Sequence, residues 1–202
     1  SNTTSQTYKY VRNILIQKSI LDVDNDVKSI LTSANATTIN EPAVYGLAIS
    51  STKGAVTNVE TGINVNNGNS VIADRTDSGN GAIGLYTNFG TININNGGKV
   101  LVETDDKNVV NNRGVGIYAV NGTEVDNKGI INVGGNNSIG ILGKAYRTDN
   151  AENKIKDEFG SNAVGQGKVN IKNQGTLSLN GEGASGIFVQ NNKGTAASSG
   201  EH

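Results

Sequence analysis

Cysteine, methionine and tryptophan are absent from this chain, and proline occurs once. Without cysteine, the chain can form neither disulfide bonds nor thiolate metal sites. Aromatic residues make up only 4% of the sequence, which excludes a conventional core built around large rings. The single histidine is His202, the last residue, so a nucleophilic triad that depends on histidine cannot be assembled.

Strong charge and long apolar runs are also lacking. The net charge is −1, and nucleic-acid binding normally needs a field of clustered lysine and arginine, so we expect no nucleic-acid partner. No run of 18 apolar residues is present, so the sequence predicts no membrane-spanning helix. Valine, isoleucine, threonine, asparagine and glycine dominate instead, a mixture that suits short strands joined by many turns.

A short motif recurs along the chain: a small residue, an apolar residue, glycine, then isoleucine or leucine, often followed by an aromatic residue. Its copies occupy residues 44–48, 82–86, 114–118, 138–142 and 184–188. Side chains within each copy alternate with the period of two that is typical of a strand. Units of roughly 20–50 residues that recur in this way indicate a solenoid or a propeller.

A second motif has the form Asn-x-Gly-x-apolar-x-apolar. It occupies residues 88–94, 127–133 and 173–179, with a degenerate copy at 61–65. Turns rich in asparagine and glycine follow it, at 66–68, 95–98, 134–137 and 180–181. Glycine permits left-handed corner conformations, and asparagine tolerates them better than most residues. Asparagines stacked at equivalent corners can also form hydrogen-bonded ladders along the axis.

These motifs predict an all-β fold, a right-handed parallel β-helix (β-solenoid). One coil cannot bury its own apolar stripe, whereas coils stacked about 4.8 Å apart pair every strand with its neighbours. A β-propeller is the competing repeat fold. It needs about four strands per blade and usually an aromatic signature, and the sequence has neither.

The register of the motifs predicts which apolar side chains stack inside the solenoid. One column is expected to contain Leu47, Leu85, Ile117, Ile141 and Ile187. A second is expected to contain Ile92, Ile131 and Leu177, with Ile94, Val133 and Leu179 beside it. We interpret the uneven spacing of the motifs as loops or irregular coils, since solenoids absorb insertions on one face.

The first and last copies of the motifs set the expected domain boundaries. We expect residues 1–42 to form an N-terminal cap or irregular segment, 43–192 to form the β-helix, and 193–202 to form a flexible tail. Within the first segment, Ile20, Val23, Val27, Ile30 and Leu31 have helical spacing, although residues 10–16 could equally form a strand. A solenoid end exposes unpaired strand edges, so a capping element is expected there. Residues 200–202 are typical of an added tag, and we expect the chain to be a fragment of a longer protein.

An insertion at residues 144–168 interrupts the repeats. Asp149 to Glu152 has capping-box spacing, and Ala151, Ile155 and Phe159 follow one another at helical intervals before Gly160. The spacing predicts a short helix with Ile155 and Phe159 on its apolar face. That face either packs back onto the solenoid or contacts a ligand.

The sequence Gly-Ile-Tyr-Ala at 116–119, together with Asn-x-Gly-x-Ile-Asn-Val-Gly-Gly-Asn-Asn-Ser-Ile-Gly-Ile at 127–141, resembles the repeats of large autotransporter passenger domains, especially those of fusobacteria. The resemblance spans residues 43–192. It implies type V secretion through an outer-membrane β-barrel, display on the cell surface, and adhesion to host cells or partner bacteria through a glycan or protein receptor. On this interpretation the only link to a membrane is a C-terminal β-barrel outside this chain. We expect no cofactor.

The strand alternation also predicts a binding face. If the residue after each motif glycine points inward, the next one points outward, which would align Ala48, Tyr86, Tyr118, Leu142 and Phe188 on one exterior face. Aromatic rings on such a face could stack on a sugar ring or a partner protein. Alternatively, loops or the insertion cover these side chains, or a register shift of one residue buries them.

Catalytic and metal chemistry receives little support from the sequence. Residues 22–26 begin like a calcium loop, but Val27 replaces the required glycine and Ser33 the required glutamate. The acidic residues, Glu124 among them, are scattered without a repeated facing pair, so we expect a non-enzymatic adhesin. The alternatives are a structural spacer that carries a distal binding domain, and a polysaccharide-degrading β-helix enzyme.

Overall fold

The computed structural model describes residues 12–31, 46–52, 61–75, 81–104, 114–146 and 168–192. Within these ranges the regular secondary structure consists of β-strands alone. The strands are β1 (Arg12–Gln17), β2 (Ile20–Val23), β3 (Val27–Leu31), β4 (Leu47–Thr52), β5 (Gly62–Val65), β6 (Ser70–Arg75), β7 (Ala82–Asn88), β8 (Thr91–Ile94), β9 (Lys99–Thr104), β10 (Gly114–Val120), β11 (Glu124–Asn127), β12 (Ile130–Gly134), β13 (Ile139–Tyr146), β14 (Asn170–Asn173), β15 (Thr176–Asn180) and β16 (Ser185–Asn192). A helix able to cross a membrane does not occur in these ranges.

The strands form three parallel sheets. The first sheet has the order β1-β4-β7-β10-β13-β16, the second β14-β11-β8-β5-β2, and the third β15-β12-β9-β6-β3. Each strand pairs with the strand three places later, so the chain passes through all three sheets before it returns one rung further along. This arrangement is a parallel β-helix, and it confirms the predicted fold class. The preference for right-handed crossovers between parallel strands makes a right-handed winding the expected one.

Apolar side chains from the three sheets meet in one continuous core along the axis. Ile49, Leu85 and Ile117 contribute from the first sheet, Ile63 and Ile92 from the second, and the third adds Val71, Val100 and Ile131. All of these side chains are buried. Isoleucine and valine suit this environment because branched side chains pack well on a pleated surface.

The corner between the second and third sheets is short in every coil. It comprises residues 24–26, 66–69, 95–98, 128–129 and 174–175. The longer connections join the third sheet to the first, or the first to the second. Stacked positions are therefore 24 residues apart where the connections are short, as at Gly114 and Ser138, and 46 apart across the longest one, as at Asn127 and Asn173. The prediction that one face carries all the additional length is wrong, because two corners share it.

Strands of the first sheet interrupt the usual alternation at a column of small residues. A Cβ on Gly116 would lie 2.5 Å from Ile131 Cγ2 and 2.6 Å from the carbonyl oxygen of Gly140. Gly116 therefore faces the core, and so does Ile117 immediately after it. Gly84 is placed in the same way, against Val100 and the carbonyl oxygen of Gly116. Glycine recurs at this position because a side chain would collide both with the core and with the next coil.

The register corrects three of the predicted columns. Ile49, not Leu47, pairs with Leu85 and continues the column of Ile117, Ile141 and Ile187. Ile92 pairs with Val125 in the second sheet, whereas Ile131 pairs with Val100 and Leu177 in the third. The Asn-x-Gly motif thus precedes two different sheets, and the predicted columns of Ile92 with Ile131 and of Ile94 with Val133 do not exist. The first copy of the glycine motif, at residues 44–48, is therefore two residues out of register with the other copies.

The N-terminal segment is part of the solenoid. Residues 12–31 form β1, β2 and β3, which pair in parallel with β4, β5 and β6. The helical spacing of residues 20–31 is therefore misleading, because Leu21 and Val27 pack against the core from two different strands. At the insertion, β13 continues to Tyr146. The helix predicted around Ile155 and Phe159 lies outside the described residues, as do residues 1–11 and 193–202.

Candidate functional site

The outer face of the second sheet carries two rows of side chains, and one of them is polar in every coil. Its strands are only four residues long, and alternation sends two side chains of each strand outward. The row that matters most contains Asp22, Asn64, Asn93, Asp126 and Lys172, which the strand register places side by side in successive coils.

Side-chain hydrogen bonds connect the first three members of this row. The amide nitrogen of Asn64 donates to Asp22 Oδ1 at 2.8 Å, and that of Asn93 donates to Asn64 Oδ1 at 2.9 Å. Each asparagine donates to the preceding coil and leaves its own oxygen facing the next one. Asp22 can begin this ladder because a carboxylate only accepts hydrogen bonds.

A second ladder runs along the adjacent corner. Asn66 donates to Asp24 Oδ1 at 2.7 Å, and Asn95 donates to Asn66 Oδ1 at 2.7 Å. Asp26 accepts from the backbone nitrogen of Ser70 at 2.9 Å. The three aspartates of the segment that begins like a calcium loop therefore act as hydrogen-bond acceptors. Asp22 and Asp24 begin the two ladders, and Asp26 accepts from the backbone of the next coil. Within the described ranges, no group of three or more potential metal ligands is placed to hold an ion.

The first ladder stops at Asp126. Asp126 pairs with Asn93 in the strand register, but its carboxylate has no N–H group to donate to the oxygen of Asn93. Asp126 Oδ2 lies 3.5 Å from Lys128 Nζ instead. Asp126 Oδ1 is buried and has no hydrogen-bond partner within the described part of the chain. A buried acceptor without a partner is costly, so a donor that reached this atom would be stabilised there.

A groove of about 570 Å³ lies where the ladder ends. Strands β8, β11 and β14 form it, and its polar lining comes from Thr91, Asn93, Glu124, Asp126, Asn170 and Lys172. Val125, Val169 and Ile171 supply the apolar part of the lining. The groove therefore combines two carboxylates, two amides, a hydroxyl group and an ammonium group on one rigid sheet. Among the described residues, no aromatic ring and no arginine lines it.

The predicted aromatic binding face is not an open surface. Tyr86, Tyr118 and Leu142 do stack in register, and they pack in a cluster separate from the central core. However, all three are buried, with exposures of 1%, 0% and 0%. The two tyrosine rings lie 5.4 Å apart, and Lys144 Nζ lies 5.6 Å from the ring centre of Tyr118. Tyr86 and Tyr118 are therefore covered, as the alternative interpretation of this face expects, and their role in binding stays a prediction.

The other residues predicted for this face have different outcomes. Ala48 is buried in the central core, and Ser50 takes its expected place beside Tyr86. Phe188 is 42% exposed on β16, the last described strand of the first sheet. Ile155 and Phe159 lie outside the described residues, so their predicted role stays a prediction.

Sequence reasoning missed the groove, although it noted Glu124 among the scattered acids. The available signal was the matched triplets Ile-Asn-Val at 63–65, Ile-Asn-Ile at 92–94 and Val-Asp-Asn at 125–127. Aligning them shows an aspartate at a position that asparagine otherwise occupies. The two motifs did not include residues 124–126, so this substitution stayed hidden.

Comparison with known proteins gave no match to a family model, to a curated protein or to a solved structure.

Proposed function

We propose that this chain is a surface-displayed adhesive module and that it binds a glycan in the groove formed by β8, β11 and β14. The observation that carries the proposal is the interrupted ladder: Asp126 lines a polar groove, and its Oδ1 is buried without a partner among the described residues. A sugar hydroxyl can donate to such an acceptor and also accept from an amide. The resemblance to autotransporter passengers supports display on the cell surface, outside the outer membrane.

The lining of the groove favours a glycan over a protein surface. Protein–protein hot spots are enriched in tryptophan, tyrosine and arginine, and none of these is among the described residues that line the groove. Carboxylate, amide and hydroxyl groups on a rigid sheet instead suit a ligand that offers many hydroxyl groups. Glu124 and Asp126 place two negative charges there against the single positive charge of Lys172, so neutral glycans should bind better than sialylated ones.

The test is a glycan-array screen followed by titration of the best ligand. Asp126→Asn removes the carboxylate but keeps the shape of the side chain, and Asn170→Lys places a long side chain in the groove. Ser178→Lys is the matched control, because Ser178 is also exposed in the last complete coil but lies on the third sheet. Loss of binding in the first two variants, with binding retained in the control, would support the groove.

Two other outcomes would redirect the interpretation. Equal loss of binding in all three variants would place the contact outside the groove. Absence of binding to any glycan or host cell would favour the spacer function, in which the solenoid carries a distal binding domain.

A second candidate function is hydrolysis of a polysaccharide. Glu124 and Asp126 lie two residues apart on β11 and both line the groove, and glycoside hydrolases use a pair of carboxylates. Reducing ends released from a polysaccharide panel by the wild type, but not by Glu124→Gln, would support this activity. No release by the wild type would exclude it for that panel.

A further inference from the structure

Asparagine followed by glycine occurs at four places where both residues are described: Asn67, Asn96, Asn121 and Asn180. This dipeptide is prone to spontaneous deamidation, because glycine has no side chain to hinder attack of its backbone nitrogen on the asparagine side chain. We propose that Asn96 is a deamidation site in the folded protein, and that the fold protects Asn67 in the equivalent turn of the preceding coil.

The two turns are matched in sequence and conformation. Residues 66–68 and 95–97 both read Asn-Asn-Gly, and they stack at the same corner of the solenoid. Gly68 and Gly97 have φ values of +80° and +82°, and both preceding asparagines are exposed. Neither local sequence, turn type nor exposure therefore distinguishes Asn67 from Asn96.

Hydrogen bonding does distinguish them. The backbone nitrogen of Gly68 donates to the carbonyl oxygen of Gly97 at 3.0 Å. The backbone nitrogen of Gly97 has no hydrogen bond within the described part of the chain. Attack on Asn67 therefore requires a hydrogen bond to break first, whereas attack on Asn96 does not.

The length of the next corner explains why Gly97 is left open. In the following coil the corner has only residues 128 and 129, against four in the coil of Gly97. Lys128 donates to Ile94 O at 2.8 Å and Ile130 donates to Gly98 O at 3.0 Å. The shorter corner thus contacts the turn of Gly97 only at its two ends, Ile94 and Gly98. Neither carbonyl oxygen of residues 128 and 129 accepts a hydrogen bond from the Gly97 nitrogen.

The reaction needs only a base and water. The base removes the proton from the Gly97 nitrogen, which bonds to Cγ of Asn96, while the Cγ–Nδ2 bond breaks and ammonia leaves. Water then opens the cyclic imide at either carbonyl group and yields aspartate or isoaspartate. The product places a new negative charge at the corner beside Asn95, the last member of the second ladder.

The experiment is ageing of the folded chain at mildly alkaline pH, followed by peptide mapping by mass spectrometry. We expect deamidation at Asn96 to be roughly fivefold faster than at Asn67, the factor expected from one typical hydrogen bond. Asn121 should remain intact, because it is buried and the Gly122 nitrogen donates to Lys168 O at 2.5 Å. In concentrated urea, Asn67 and Asn96 should react at the same rate, since only the fold separates them.

Two variants test whether deamidation at Asn96 contributes to the change in net charge of the aged protein. Asn96→Gln should lower the amount of acidic species that accumulates on ion exchange, whereas Asn67→Gln should lower it far less. Equal rates at Asn67 and Asn96 in the folded chain would overturn the proposal, and so would a folded chain in which Asn96 stays intact. A melting curve for each variant confirms that the comparison is between folded proteins.

Discussion

Asp126 lies beside Asn93 in the register of the second sheet, at the point where the ladder of side-chain hydrogen bonds ends. The ladder rises through three coils because each asparagine both donates and accepts. A single aspartate interrupts it, since a carboxylate cannot donate. The same substitution leaves a buried acceptor in a groove, so one residue both limits the ladder and creates the proposed binding position.

Asp126→Asn should extend the ladder and stabilise the protein. The new amide can donate to Asn93 Oδ1, and one such bond raises the free energy of unfolding by about 1 kcal/mol. The lost ion pair with Lys128 is half exposed, and its contribution is about 0.5 kcal/mol. Urea denaturation followed by circular dichroism measures the difference. The reverse variant Asn93→Asp should be destabilised, and a less stable Asp126→Asn would contradict the ladder.

Gly116→Ala should destabilise the solenoid by about 1–3 kcal/mol, the usual cost of overpacking a core. The added methyl group would lie 2.5 Å from Ile131 Cγ2 and 2.6 Å from the carbonyl oxygen of Gly140. Gly134→Ala is the matched control, because the nearest atom to its new Cβ would be 3.7 Å away. Thermal melts of the two variants should differ clearly, and similar melting temperatures would argue against the close approach at Gly116.

Tyr118→Ala should reduce stability by about 3–5 kcal/mol, because the ring is fully buried. Phe188→Ala should have a much smaller effect, since that side chain is 42% exposed. Circular dichroism is the suitable measurement, as the chain has no tryptophan to report by fluorescence. Equal stability of the two variants would mean that the Tyr86–Tyr118 cluster is open to solvent after all.

Asn127→Ala should cost about 1–3 kcal/mol, the penalty for leaving buried polar groups without partners. Asn127 is fully buried. Its Oδ1 accepts from the Gly129 nitrogen at 3.1 Å, and its Nδ2 donates to Asn173 Oδ1 at 2.8 Å. Asn132→Ala changes an exposed asparagine on the next strand and should be close to neutral. If both variants unfold at the same urea concentration, the hydrogen bonds of Asn127 do not stabilise the corner.

Much of the fold was predictable because a β-helix repeats its local chemistry. The alternation around Ile117 and the glycines before it indicated strands stacked in parallel, and the asparagines at the corners predicted ladders such as Asn66–Asn95. The same logic failed at residues 20–31, where apolar residues fall at helical intervals only because two short strands and a corner follow closely. Local spacing cannot distinguish these arrangements when the strands are four or five residues long.

What the sequence determined by itself was the kind of fold: strands rich in branched apolar residues, glycine at crowded positions, and no means of building a disulfide or a large aromatic core. The tertiary structure decided the register, because only pairing across coils shows that Ile49 rather than Leu47 lies beside Leu85. It also decided burial, since strand alternation sends Tyr118 outward but does not show whether other residues pack over it. The groove at Asp126 was also decided by the tertiary structure, because its lining comes from three strands that lie side by side only after the chain has coiled.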